Sequence, residues 1–424
     1  MGVLSAGAEG EVDGEACSPG SGMALEVEGA SSGMVSSGVA IRETASGLVV
    51  VPSEGAGPPL RSKVMYTAPP GPWGSLEYYV AYLQIPRSYL EMVVLPRERT
   101  VWHFGDLAPA EVGARLAPVG IGQSSEGGVL NFEVIIGDDG GTKVLPSDGL
   151  ILSLSPDQRT ALSEILKEWE ENWYYVTPIL IESGDPVQWY REAGLAEDVV
   201  SMIAQLCYKQ GRATVFSDPA VVYRRLPTVE SRERFLRAMT LTRTLVARIR
   251  IGGGGPGDLE ALQYWRAGHK DQDTAPILEA IADSAAVERL DIAHLLPPLP
   301  RKLLYTYPGE ADTLMGERFD CHWTCLNFFR SQPNGRVWDP NVRGEYFTEK
   351  FEAADSLRYG DVVLLNDKAT GELVHSAVYL AADIFYTKNG EGLGHPWQLM
   401  RYGDLLNYYS INGEVYGTVR RPVD

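Results

Sequence analysis

The chain has 424 residues, with 37 Lys and Arg against 56 Asp and Glu and a formal charge of −19 at neutral pH. That length exceeds one ordinary domain and predicts two or three. Such acidity repels phosphate backbones and anionic lipid, which makes nucleic acid an unsuitable partner.

Residues 1–60 are rich in Gly, Ser, Ala and Glu and have few aromatics, as in "SPGSGMALEVEGASSGMVSSG". They lack the apolar surface to offset ordering, which predicts a disordered arm. The opening has no basic segment followed by an apolar one, as a secretory signal would, and no later run reaches the length of a membrane span. As written, the chain is expected in the cytoplasm; a different start codon would leave room for export. Over 61–153, short β-branched and aromatic runs broken by Gly, Pro and "GDDGG" predict a small β-rich domain.

At Ser155 the pattern changes. Pro156 stands at a first helical position and Gln158 where a capping box needs it, so a helix should follow through "RTALSEILKEWEEN". The segments "GLAEDVVSMIAQLCYKQG", "VESRERFLRAMTLTRTLVARIRI", "DLEALQYWRAG" and "TAPILEAIADSAAVERL" also read as helices. Residues 154–297 therefore predict a helical domain, serving as scaffold or as the surface for a protein partner. Beyond 298, strands return in "SLRYGDVVLLN", "ELVHSAVYLA" and "DIFYTKNG". One helix followed by a strand meander makes residues 298–424 an α+β domain, and the whole chain a multi-domain α+β protein.

Four cysteines, at 17, 207, 321 and 325, are too few and too scattered for a disulfide framework. Two of them fall in "FDCHWTCLNFF", residues 319–329. The C-x3-C spacing has no second ligand pair for zinc, is not the C-x-x-C of redox proteins and is not a haem motif, so no metal or cofactor is expected. In a helix, Cys321, Cys325 and Phe328 share a stripe, and Cys325 reads as core. Cys321 differs, because Asp320 is a good N-cap. That places Cys321 in the first helical turn, where free backbone N–H groups and the positive dipole end favour thiolate. A nucleophilic thiol still needs a base. His322 points to another helix face, whereas His375 opens the strand-like "HSAVYL", from which its ring could be held against the helix start.

On these residues, the C-terminal third resembles the NlpC/P60 family of papain-like cysteine peptidases and amidases. "FDCHWTCLNFF" is similar to that family's Asp-Cys-Ser-Gly helix start, "LRYGDVVLL" to its Gly-Asp strand, "HSAVYLA" to its His-led strand, and "LLYTYPG" to the aromatic segment before the nucleophile. The match covers roughly 300–410, and the family's Ser-Gly is here replaced by His322-Trp323. The resemblance implies a papain-like fold and a thiol-dependent hydrolase of peptide or other amide bonds. It makes Cys321 the nucleophile and His375 the base, and puts a polar orienter twelve residues beyond the His, at Thr387. Asn389 shares that strand face and is chemically better suited to hold the tautomer, so both are kept and Asn389 is favoured. By the same resemblance Tyr305, with Tyr307 as runner-up, contacts the substrate oxyanion, with core packing an equal alternative for Tyr305; Trp323 could wall a cleft but reads more readily as core. Two alternatives stand beside this reading. Acyl transfer on the same fold is one, and a non-catalytic interaction protein built on the helical region is the other.

Overall fold

The computed structural model describes residues 39–44, 47–52, 64–90, 99–122, 132–251, 256–266, 280–281, 287–309 and 319–423. It divides into two units, 1–59 and 60–424. In the first, β1 (Val39–Thr44) and β2 (Gly47–Pro52) form an antiparallel hairpin, so the arm expected over 1–60 carries local structure there. The rest of that arm, Cys17 included, lies outside the described residues.

The second unit mixes helix and sheet. β3 (Tyr66–Thr67) and β4 (Ser75–Leu83) open it. β5 (Trp102–His103), β6 (Phe132–Ile136) and β7 (Thr142–Pro146) form a small sheet ordered β5-β7-β6. The helix Pro156–Leu166 begins as expected, with a reciprocal capping box between Ser155 and Gln158. β8 (Ile179–Leu180), β9 (Tyr208–Gln210) and β10 (Ala213–Phe216) form a second small sheet. Helices Pro186–Glu192, Glu197–Leu206, Pro219–Arg225 and Val229–Met239 pack with both sheets around one core, running from Trp102 to Ala238.

That core crosses residue 153, and no separate compact unit begins there. The "helical" stretch 229–251 also ends early. Its second half is β11 (Thr242–Arg250), where Leu245, Ala247 and Ile249 alternate inward. Period-2 alternation of β-branched and apolar residues outweighs the local helix signal. β11 pairs with β4 over nine residues, from Thr242↔Leu83 to Arg250↔Ser75, and β12 (Arg289–Asp291) joins its far edge. The sheet β12-β11-β4-β3 thus joins residues assigned above to separate β-rich and helical domains. Strand pairing is non-local, so nothing in either segment alone announces it.

The C-terminal part is a six-stranded antiparallel sheet. Its strands are β13 (Phe351–Ala353), β14 (Val362–Asp367), β15 (Leu373–Ala381), β16 (Ile384–Lys388), β17 (Trp397–Arg401) and β18 (Val415–Pro422), ordered β13-β18-β14-β15-β16-β17. The strands read as nearly continuous apolar runs because both faces are covered. One face, with Leu364, Val378, Leu380, Ile384 and Tyr386, packs on the short helix Cys321–Leu326. The other, with Val363, Leu365, Ala377, Tyr379 and Phe385, lies under the helix Tyr402–Tyr409. The first core is continuous with that of the β4–β11 sheet, so no boundary falls at 297 either. The two sheets are stitched at Thr244, whose Oγ1 donates to Leu399 O (3.2 Å) and accepts from Leu399 N (3.0 Å).

Candidate functional site

The short helix starts as its sequence predicts. Asp320 caps it by accepting from Trp323 N at 2.7 Å, and its other carboxylate oxygen is ion-paired with Arg343. Cys321 therefore sits in the first turn, 7% exposed. Burial pushes its thiol up to about 12, and Asp320 adds to this. The Ser376 N–H and hydroxyl and the His322 N–H, which favour the thiolate, oppose it. The dipole argument gave the right place but the wrong charge state. Removing sulfur from water outweighs a half-charge at the end of a six-residue helix. Cys325 is core, its thiol raised further by burial.

His375 is completely buried. Alternation along β15 puts it with Ala377 and Tyr379, and its ring stacks on Tyr409 with centroids 4.0 Å apart. Ser376 lies on the opposite face with Val378 and Leu380, which meet the cysteine helix, and neither ring nitrogen of His375 is hydrogen-bonded to Cys321. The β15–β16 ladder has ended by this point, at Val378↔Tyr386, and side chains take over. His375 Nε2 lies 2.8 Å from Thr387 Oγ1, which lies 3.4 Å from Asn389 Oδ1 as donor. Tyr409 OH also donates to that oxygen, at 3.3 Å. The Asn389 amide nitrogen is turned to Met400 Sδ, 3.0 Å away.

This chain of contacts favours one tautomer. Thr387 has one hydroxyl proton and gives it to Asn389, so its lone pair receives Nε2–H. His375 Nδ1 is then the bare nitrogen, and it is buried with no hydrogen-bond partner. Burial, with His322 adding, holds this imidazole's pKa well below its ordinary value, so it is neutral at physiological pH. The contact to His375 is thus made by Thr387 and not by the favoured Asn389, which acts one bond further out. Continued past Val378↔Tyr386 the register would set Asn389 opposite His375, but the ladder ends there, and the ring meets Thr387, one pleat step nearer on the same face.

Two other expectations fail. Tyr305 adopts φ +63 and its OH donates to Leu245 O at 2.7 Å, so the phenol is committed to β11 and not to a substrate oxyanion. Trp323 is 2% exposed, packed on Phe319 and Trp397 in the core. It borders, with Trp397 and Tyr386, a cavity of about 10 Å3, room for about one water. The Gly-Asp pair is structural, as its turn chemistry implies. Gly360 has φ +87, and buried Asp361 takes a two-point ion pair from Arg421 at 2.7 and 3.0 Å.

Sequence reasoning missed three side chains here. Lys388 is completely buried, donates to Gly390 O at 2.7 Å and lies 5.6 Å from the Trp397 ring centre. Burial pushes its pKa down to about 7, against the opposing charges of Asp320 and Cys321. Its signal was available: in "IFYTK" it falls on the inward period of Ile384 and Tyr386. Tyr409, on a distant helix, gave none. Ser376 was passed over as strand filler. Among the described residues, no group of three or more His, Cys, Asp or Glu could hold a metal ion, and no helix is long and apolar enough to cross a membrane.

No family model, curated protein or solved structure matches the chain.

Proposed function

We propose that the chain is a thiol-dependent hydrolase of amide bonds, acting on peptide or cell-wall-peptide-like substrates, with Cys321 as nucleophile and His375 as base on an NlpC/P60-like, papain-like domain. The observation that supports this most is the bare, unpartnered Nδ1 of His375, held in that tautomer by Thr387. A buried lone pair without a donor is costly and rare in a purely structural histidine. Both groups are neutral at rest and not hydrogen-bonded to each other, so substrate binding has to bring Nδ1 to the thiol, whose S–H proton then moves to His375 as sulfur bonds to the amide carbon. The imidazolium then protonates the departing amine, and water cleaves the thioester with the same nitrogen as base. An amine in place of water would give acyl transfer. The three cysteines among the described residues are free and buried, which fits a reducing compartment such as the cytoplasm.

The burial of Cys321, with its thiol up at about 12, favours a second reading as a non-catalytic interaction protein. Iodoacetamide alkylation of Cys321, followed by peptide mass spectrometry across pH in wild type and His375→Ala, separates the two. Catalysis requires Cys321 to react faster than Cys325 and to lose a measurable part of that advantage without His375. Equal rates for the two thiols favour the interaction protein. Incubation with peptide amides, with and without added amines, then distinguishes hydrolysis from transfer by product mass.

A further inference from the structure

The site holds a second imidazole that the Cys321–His375 dyad leaves idle. His322 follows the nucleophile and is turned about 100° from it around the helix, off the cysteine stripe. It nonetheless reaches β15, where its Nδ1 lies 2.9 Å from Ser376 Oγ. Ser376 is completely buried on the sheet face that carries the cysteine helix, and its hydroxyl helps to lower the pKa of both Cys321 and Cys325. One hydroxyl therefore lies hydrogen-bonded to a ring nitrogen and close to the thiol pair.

We infer that Ser376 and His322 form a proton relay that gives the Cys321 thiol a second route of deprotonation, separate from His375. The inference rests on Cys321 being the nucleophile and adds a catalytic hydroxyl and a positioning imidazole to that site. In the step, the S–H bond breaks and its electron pair stays on sulfur. Ser376 Oγ takes that proton while passing its own to His322 Nδ1, leaving thiolate, an intact serine hydroxyl and imidazolium. Asp320 lies close enough to favour that imidazolium, while Arg343 opposes it. Facing Cys321 are Asp320 and Cys325 on its own segment, Lys388 on β16 and Tyr409 on the last helix. His322 is half-buried whereas His375 is wholly enclosed, so the relay also leads toward solvent. Burial lowers the pKa of both imidazoles, so each is free to accept at neutral pH.

The test is the rate of Cys321 alkylation against pH in wild type, His322→Gln, Ser376→Ala, their double variant and His375→Gln, with thermal unfolding to verify folding. With the two routes in parallel, the relay predicts a partial loss near neutral pH, about twofold to threefold, in His322→Gln and in Ser376→Ala, and no further loss in the double variant. The His322-dependent share of the rate should persist in His375→Gln. Wild-type rate and pH profile in His322→Gln, with dependence on His375 alone, overturn the relay and leave the dyad standing. If wild-type Cys321 reacts no faster than Cys325, relay and dyad fall together. Nitrogen NMR of the wild-type imidazoles needs no variant. An unprotonated His322 Nδ1 is expected, and a protonated one overturns the relay.

Discussion

Replacing His375 with Gln should flatten the acid limb of the stability curve. His375 is fully buried and neutral, its folded pKa well below the ordinary 6.5 of an imidazole. Below pH 6.5 the unfolded chain binds a proton at this residue and the folded chain does not. Stability is therefore fully present above that pH and is lost as pH falls toward the folded value. One proton corresponds to about 1.4 kcal/mol per pH unit, so about 2.7 kcal/mol disappears over two units. Other imidazoles lowered by burial, His322 and His103 among them, contribute slopes of the same sign. The informative quantity is thus the difference in slope between wild type and variant. Urea titrations at steps from about pH 8 to about pH 5 supply it, because lost stacking on Tyr409 shifts the whole variant curve without tilting it. Parallel curves for the two proteins below pH 6.5 would refute the argument that His375 is held neutral by burial.

Thr387→Val strands Nε2–H of His375 in a dry site and should cost about 1–3 kcal/mol in urea unfolding, with slower Cys321 alkylation. Lys388→Met should raise stability by about 1–2 kcal/mol at pH 7, because an ammonium taken out of water is replaced by a thioether of similar length. With the lysine held down to about 7, wild type should recover on that variant as pH climbs from 7 to about 9, which calorimetry can follow. Gly360→Ala places a Cβ 2.2 Å from the Phe329 ring at φ +87, and denaturant unfolding should show a loss of about 1–3 kcal/mol.

Local chemistry was legible wherever it was self-contained. The capping boxes, the Asp320 cap and the strands from Val362 to Lys388 rest on neighbours a few residues apart, and they form as the pattern implies. What escaped was set by partners far along the chain. β11 is a strand because β4 lies beside it, and the β-rich and helical regions merge because Trp102 and Phe235 share a core. In the site, Cys321 was named from its place after the Asp320 cap, His375 from opening a strand, and Thr387 from the family resemblance. Spacing does not reveal which strand face a ring occupies, so neither the Tyr409 stack nor the His322–Ser376 contact could be foreseen. The thiol's protonation state depends on how deeply it is enclosed, and that too is decided by tertiary packing.

Residues 84–241 leave β4 at Leu83 and return to β11 at Thr242, two positions that face each other in the ladder. Everything between them is therefore an excursion whose two stems already touch. Bringing distant strand ends together through a long flexible loop slows folding, since the closure entropy precedes any reward from contacts. An excursion with its own apolar centre removes most of that obstacle: once it has condensed, its stems are neighbours and β4 and β11 meet as if joined by a short turn. The sheet bearing Thr244, and through it the β17 edge beside the cysteine helix, would then assemble last and fastest.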